Sequence, residues 1–246
     1  MCTLTFNPRD RGFALAMNRD EKRARARGAP PAPRTFGNTN ALLPSESGGG
    51  TWIGVNEHAV CLALINWYSV PSQPRQALSS RGGVIPSLLD APDAQSVRER
   101  LKPAPLSSKN PFRLIGVFAR EKAVVEWQWN GRRLEVVEHP WALGIWISSG
   151  FDEPGAQQAR GATFLRRRIE QDPSQGDWLR QLHASHIPEA GAYSVCMHRA
   201  DAATVSCSEI TVNDETVRFA YCDGPPCSGA AWTESQLALL SASNPR

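Results

Sequence analysis

Four consecutive segments, FRLIGVF (112–118), AVVEWQW (123–129), RLEVVEH (133–139) and LGIWIS (143–148), are strand-like and are joined by very short connections. Such a chain must stack antiparallel strands, because a parallel pair needs a crossover of a dozen residues or more. Asn130–Gly131 is suited to a tight hairpin turn between the second and third segments. The chain opens in the same way: CTLTF (2–6) and GFALAM (12–17) alternate on either side of NPRDRG, which is dense in turn formers. Pairing Phe6 with Phe13, Leu4 with Leu15 and Cys2 with Met17 gives both strands one apolar face. It also brings Asn18, Arg19 and Asp20 to the end of the sheet where the chain begins.

TWIGV and AVCLALIN read as further strands, and AYSVCMH (192–198), ATVSCSEITV and TVRFAY return to strand near the end. Helices are expected around Ser96–Lys102, in GATFLRRRIEQD, in DWLRQLHASH and finally near the end of the chain, where Thr233 and Gln236 form a capping box ahead of LALL. Residues 21–50 have no sustained apolar period and read as a long loop. These elements predict a single α+β domain over residues 1–246.

Net charge is +3, too mild to point to nucleic acid. No apolar run approaches the ~20 residues of a membrane span. Asn7, Pro8, Arg9 and Asp10 interrupt any leader-like apolar stretch, so the expected location is cytoplasmic. Six cysteines are then expected as free thiols, with Cys61 a small core residue in AVCLALIN. Cys196, His198, Cys207, Cys222 and Cys227 contain no C-x-x-C pair and are irregularly spaced, so no metal is expected. Arg166, Arg167 and Arg168 read as the solvated face of a helix. The oligomeric state is left open.

Cys2 carries the chemistry. Loss of Met1 gives this residue both a thiol and a free α-amine, a nucleophile and a base in one amino acid. The amine's reference pKa of ~7.7–8.0 makes it a usable base near neutrality, and a thiol at ~8.5 needs only a cationic neighbour to ionise. In Asn18-Arg19-Asp20-Glu21, Asp20 can accept from the α-amine, while Arg19 can hold a thiolate or a substrate carboxylate. The glycines before Trp52 allow close backbone approach, and the indole supplies an apolar wall. Asn66, ending AVCLALIN, can donate its amide to an oxyanion.

MCTLTF, MNRDE, FGN followed by GGGTWIGVN, LINWY and SRGG around Arg81 resemble, in order, the NRDE family, also called the transport and Golgi organisation protein 2 family. Weaker echoes occur at WISSGFDEP and YSVCMHRADAATVS. That family is similar to cysteine-type N-terminal nucleophile hydrolases, including choloylglycine hydrolases and penicillin V acylases. The resemblance implies a four-layer αββα sandwich and amide hydrolysis through a Cys2 thioester. It assigns catalytic roles to Cys2, Asp20 and Asn66, with Asn18, Arg19, Trp52, Arg81 and Ser149 in support. Ser149 stands where the family pattern has an oxyanion Asn, and Val205 where it has an Arg. The resemblance also implies a rival role, since eukaryotic members are linked to secretory organisation and haem movement: a non-enzymatic carrier of haem or a lipid-like molecule. No cofactor is expected for the hydrolase, and its partner would be a small-molecule amide.

Overall fold

The opening hairpin sets the frame of the computed structural model, which describes residues 1–71, 79–102 and 106–241. Strands β1 (Cys2–Pro8) and β2 (Phe13–Lys22) pair Pro8 with Phe13, Phe6 with Leu15, Leu4 with Met17 and Cys2 with Arg19. The register is two residues from the expected one. The turn is tighter than NPRDRG implied, because Arg9 N donates to Gly12 O at 3.1 Å and leaves Asn7 and Pro8 in the strand. Gly12 has φ 83°, and a Cβ there would lie 2.1 Å from the Val212 carbonyl oxygen, so only glycine closes this turn. A two-residue shift preserves side-chain parity, and the apolar face survives unchanged.

β2 continues into a six-stranded antiparallel sheet of order β10-β1-β2-β11-β12-β13, with β10 at Gly144–Ser148, β11 at Ala202–Val212, β12 at Thr216–Cys222 and β13 at Trp232–Ala238. The second sheet is an antiparallel meander of seven strands in chain order: β3 (Ala29–Phe36), β4 (Thr39–Ser45), β5 (Ile53–Asn56), β6 (Val60–Asn66), β7 (Phe112–Phe118), β8 (Ala123–Trp129) and β9 (Leu134–His139). Leu4, Phe6, Leu15 and Met17 of the first sheet share one buried cluster with Val55, Cys61, Ile65 and Ile115 of the second. On the first sheet's other face, Ala14 and Ala16 pack against Phe164, Trp178 and Leu182. Those three belong to helices α2 (Glu153–Glu170) and α3 (Trp178–His183). Leu62, Leu114 and Trp127 of the second sheet pack against Leu88, Leu89 and Val97, the last in α1 (Ala94–Arg100). None of the described helices is long and apolar enough to cross a membrane.

Three expectations are corrected. Residues 29–45 form the β3–β4 hairpin rather than a loop, its register shifting between Ala29 and Ala32, where the prolines fall. A sheet edge tolerates such residues, which is why their composition misleads. The segment from Trp232 into LALL is β13 rather than a helix, paired with β12 from Cys222–Trp232 to Thr216–Ala238. Thr233 Oγ1 donates to Tyr221 O at 3.3 Å instead of capping. A short isolated helix is marginal, whereas the open edge of β12 satisfies this backbone at once. Finally, AYSVCMH is no strand: Cys196 N donates to Ser185 O at 3.0 Å and His198 N to Gly191 O at 3.2 Å, across an irregular connection.

His183 ends α3 fully buried, its Nε2 3.1 Å from Thr5 Oγ1. Burial, reinforced by Arg160, pushes its pKa down to about 3. The unfolded chain therefore binds a proton that the folded chain refuses between about pH 3 and pH 6.5. Stability rises with pH across this window, is complete above it and is lost on acidification. The expected contribution of His183 is ~1.4 kcal/mol per pH unit within the window. Denaturant titrations at about pH 7.5 and about pH 4.5 should show His183→Gln losing less stability between the two than the parent. Equal losses would contradict the assignment.

Candidate active site

Alternation along β1 and β2 divides the opening residues between two faces. Cys2 lies opposite Arg19 on one neighbouring strand and Ser148 on the other. Cys2 belongs to the cluster between the sheets, whereas Thr3, Asn18 and Asp20 make their contacts on the helix side. Arg19 is 4% exposed, with its guanidinium carbon 4.3 Å from the Trp52 ring centroid and Nη2 donating to Glu46 Oε1 at 2.6 Å. Arg25 Nη2 joins the same carboxylate at 2.9 Å, and Arg25 Nη1 pairs with Glu21 at 2.7 Å. Burial would raise the Glu21 carboxyl, but the Lys22 N–H, Arg25, the terminal ammonium and Arg19 hold it below the usual range.

Asn66, at the end of β6, donates Nδ2 to Tyr68 Oη at 2.7 Å and keeps a second amide hydrogen. Arg81 lies on a short 3-10 turn (Arg81–Gly83) and is fixed by Nη1 donating to Pro111 O at 2.9 Å. Cys2, Arg19, Asp20, Trp52, Asn66 and Arg81 all border one cavity of about 260 Å³. Thus six of the eight residues singled out from the sequence meet at one place.

The chain terminus enters the same cavity. The Met1 ammonium donates to the Asp20 backbone carbonyl at 3.0 Å, and Asp20 N donates to Met1 O at 2.9 Å. Burial works against this ammonium, yet Cys2, Tyr68, Asp20 and Glu21 outweigh it and hold its pKa above the ordinary value. For the Cys2 thiol, burial pushes the pKa up and the Asp20 charge adds to it. The terminal ammonium, the Asp20 backbone N–H and Arg19 pull the other way without reversing the net rise.

The Asp20 carboxylate departs from the expected arrangement. Its Oδ2 is 3.1 Å from Arg160 Nη1 and its Oδ1 accepts from Thr204 Oγ1 at 2.7 Å, so it holds the terminus by its backbone instead. The cause is parity: with Arg19 opposite Cys2, its neighbour Asp20 leaves on the other face. Arg160 also donates to Thr3 Oγ1 at 2.7 Å, and both charged side chains of the pair are fully buried.

Asn18 and Ser149 lie outside the cavity lining. The Asn18 amide donates to His183 O at 2.8 Å and Val195 O at 2.9 Å, tying α3 and the irregular connection to the sheet. Ser149 Oγ accepts from Phe151 N at 3.3 Å and Asp152 N at 3.4 Å in the turn before α2. Val205 occupies the register shift of β11 between Thr204 and Ser206. Sequence reasoning missed Arg160, although Ala156, Arg160, Thr163 and Phe164 form a buried stripe at helical spacing. Thr204 and Glu46 reach the site through long-range pairing, which no local pattern announces.

A mutant of the conjugated bile acid hydrolase from Clostridium perfringens superposes with a TM-score of 0.51 at 12% identity, covering 99% of each chain. The penicillin V acylase from Agrobacterium tumefaciens gives 0.52 at 10% identity, covering 98% of this chain and 100% of the other. At such identities the likeness is one of fold, that of the N-terminal nucleophile hydrolases. No curated protein matches the sequence. Residues 1–210 match the family described as Transport and Golgi organisation 2, and the chain belongs to that family.

Proposed function

We propose that the chain is an N-terminal-cysteine amidohydrolase or acyltransferase acting on a small amide-linked acyl substrate, within the four-layer αββα form of the fold. The observation that carries this reading is the position of Cys2, at a strand end on a cavity border, with the residue before it held by the backbone of Asp20. Cleavage of the peptide bond before Cys2 converts its nitrogen from an amide, which is no base, to an amine, which is one.

In this scheme the α-amine takes the thiol proton as sulfur attacks the substrate carbonyl carbon, giving a tetrahedral oxyanion. The amine then returns the proton to the leaving nitrogen as the C–N bond breaks, which leaves a thioester on Cys2. Water, or an acceptor amine in transfer, attacks the thioester and restores the thiol. Asn66 supplies an amide donor to the oxyanion, and Arg19 favours the thiolate from across the strand pair. Arg81 faces the cavity as a partner for an acidic substrate group. Asp20 is a positioning residue whose backbone holds the terminus while Arg160 and Thr204 hold its carboxylate. A cavity bordered by Arg19, Arg25, Arg81, Glu21 and Glu46 suits a small polar amide better than haem or a lipid-like ligand. A cytoplasmic setting, with its reducing conditions, would keep Cys2 free.

Intact mass of protein from its native host should show a chain beginning at Cys2; a fully active population retaining Met1 would end the mechanism. A small β-lactone should acylate Cys2, as located by peptide mapping, and Cys2→Ala should abolish that adduct. Cys227 is exposed as well, so the mapping must separate the two thiols; acylation at Cys227 or elsewhere with Cys2 untouched would overturn the nucleophile assignment.

Arg160→Ala should cost about 3–5 kcal/mol of stability by leaving the Asp20 carboxylate buried and unpaired. The Asp20→Asn/Arg160→Met double variant should recover part of that loss, as read by urea unfolding. A single variant as stable as the parent would refute the anchoring role.

A further inference from the structure

Away from Cys2, four side chains from three stretches of chain converge on one point. His186 follows α3, Cys196 and His198 lie on the irregular connection before β11, and Cys227 sits on the 3-10 turn Pro226–Ser228 between β12 and β13. Their ligand atoms all lie within 4.8 Å of one another. His198 Nε2 is 3.1 Å from His186 Nε2, 3.6 Å from Cys196 Sγ and 3.3 Å from Cys227 Sγ. A single ring nitrogen carries either one hydrogen or one lone pair and cannot serve three such neighbours. A cation at their centre serves all of them.

The three distances from His198 Nε2 match the edges of a tetrahedral site. With Zn–N of about 2.0–2.1 Å and Zn–S of about 2.3 Å, its edges are about 3.3 Å between nitrogens and about 3.6 Å between nitrogen and sulfur. The observed 3.1, 3.6 and 3.3 Å fall within about 0.3 Å of those edges. Two thiolates and two imidazoles in this geometry select zinc, and four protein ligands leave no open position, the mark of a structural site. Cys207 and Cys222 face each other across β11 and β12 and take no part.

We propose that His186, Cys196, His198 and Cys227 bind one structural zinc ion, which ties the connection between α3 and β11 to the β12–β13 turn. Binding releases the two thiol protons to solvent and places two thiolates against the dication, so the site is neutral overall. The connection has little regular pairing of its own, its one β-bridge being His198 with Ala203, and the metal supplies cross-links in place of a sheet ladder. It also stands directly behind Asp20. Met197, between two of the ligands, donates its N–H to Thr204 Oγ1 at 2.8 Å, and that hydroxyl donates to Asp20 Oδ1 at 2.7 Å.

The test is metal analysis of the full chain, purified without chelator or histidine tag from zinc-supplemented cells. One equivalent of zinc per chain is expected, with the visible bands of tetrahedral sulfur-and-nitrogen coordination after replacement by cobalt. His186→Gln/Cys227→Ser removes two solvent-accessible ligands and should lose both the zinc and the cobalt bands, whereas Cys2→Ala should keep both. Circular dichroism verifies that the double variant is folded. Zinc-free protein that also fails to take up zinc or cobalt under reducing conditions would overturn the proposal. Full zinc content in the folded double variant would do so equally. A Cys196–Cys227 disulfide that persists in protein prepared under reducing conditions would show that the two sulfurs pair with each other instead.

Discussion

The buried ion pair between Asp20 and Arg160 is the contact on which the geometry of the chain terminus rests. A carboxylate and a guanidinium with no solvent exposure lose several kcal/mol of hydration each, so the pair is poor value as a stabiliser by itself. What it provides is position. Arg160 Nη1 reaches both Asp20 and Thr3, so one cation fixes β1, β2 and α2 relative to one another. Thr204 adds β11 from the other side. Removing either charge strands the other in a dry interior, which makes the arrangement all or nothing.

Strand periodicity explains how three successive residues can do unrelated work. Asn18 and Asp20 leave β2 toward the helices, where one ties down the backbone at His183 and Val195 and the other meets Arg160. Arg19, between them, leaves on the opposite face and lies over Trp52 beside Cys2. The Asp20 backbone belongs to neither face. It runs within the sheet, between the start of β1 and Thr204 of β11, with its C=O accepting from the Met1 ammonium and its N–H donating to Met1 O. A residue can thus be anchored on one side of a sheet and hold the terminus from within it.

The limits of the sequence follow from the same physics. Parity was legible, because alternation of Leu4, Phe6, Leu15 and Met17 determines which face each residue takes however the hairpin slips. Register was not, because it depends on a turn whose closure needs Gly12 against the Val212 carbonyl, a contact from the far end of the chain. Of the six named site residues at the cavity, Cys2, Trp52 and Asn66 lie at or next to strand ends and Arg19 and Asp20 near the end of β2, whereas Arg81 arrives on the 3-10 turn Arg81–Gly83. Arg160 was hidden because the expected helix began at Gly161, whereas α2 starts at Glu153 and carries Arg160 on the same buried face as Ala156, Thr163 and Phe164. β13 was hidden because Thr233 and Gln236 carry a true local signal for a helix, overridden by an unpaired neighbour strand.

The irregular connection shows why local and long-range signals must be separated. Val195, Cys196 and Met197 are completely buried, so the apolar content of AYSVCMH was informative about burial and misleading about conformation. A strand there would turn alternate side chains to opposite faces, and Cys196 and His198, two residues apart, would still share one. Instead the chain folds back on Ser185 and Gly191, which brings His186 to within 3.1 Å of His198. Non-sheet backbone is what allows a ligand cluster to close here, and the same turn of chain aims the Met197 N–H at Thr204. The segment that least resembles regular structure thereby backs the hydroxyl that holds Asp20, one step from the terminus that the proposed chemistry requires.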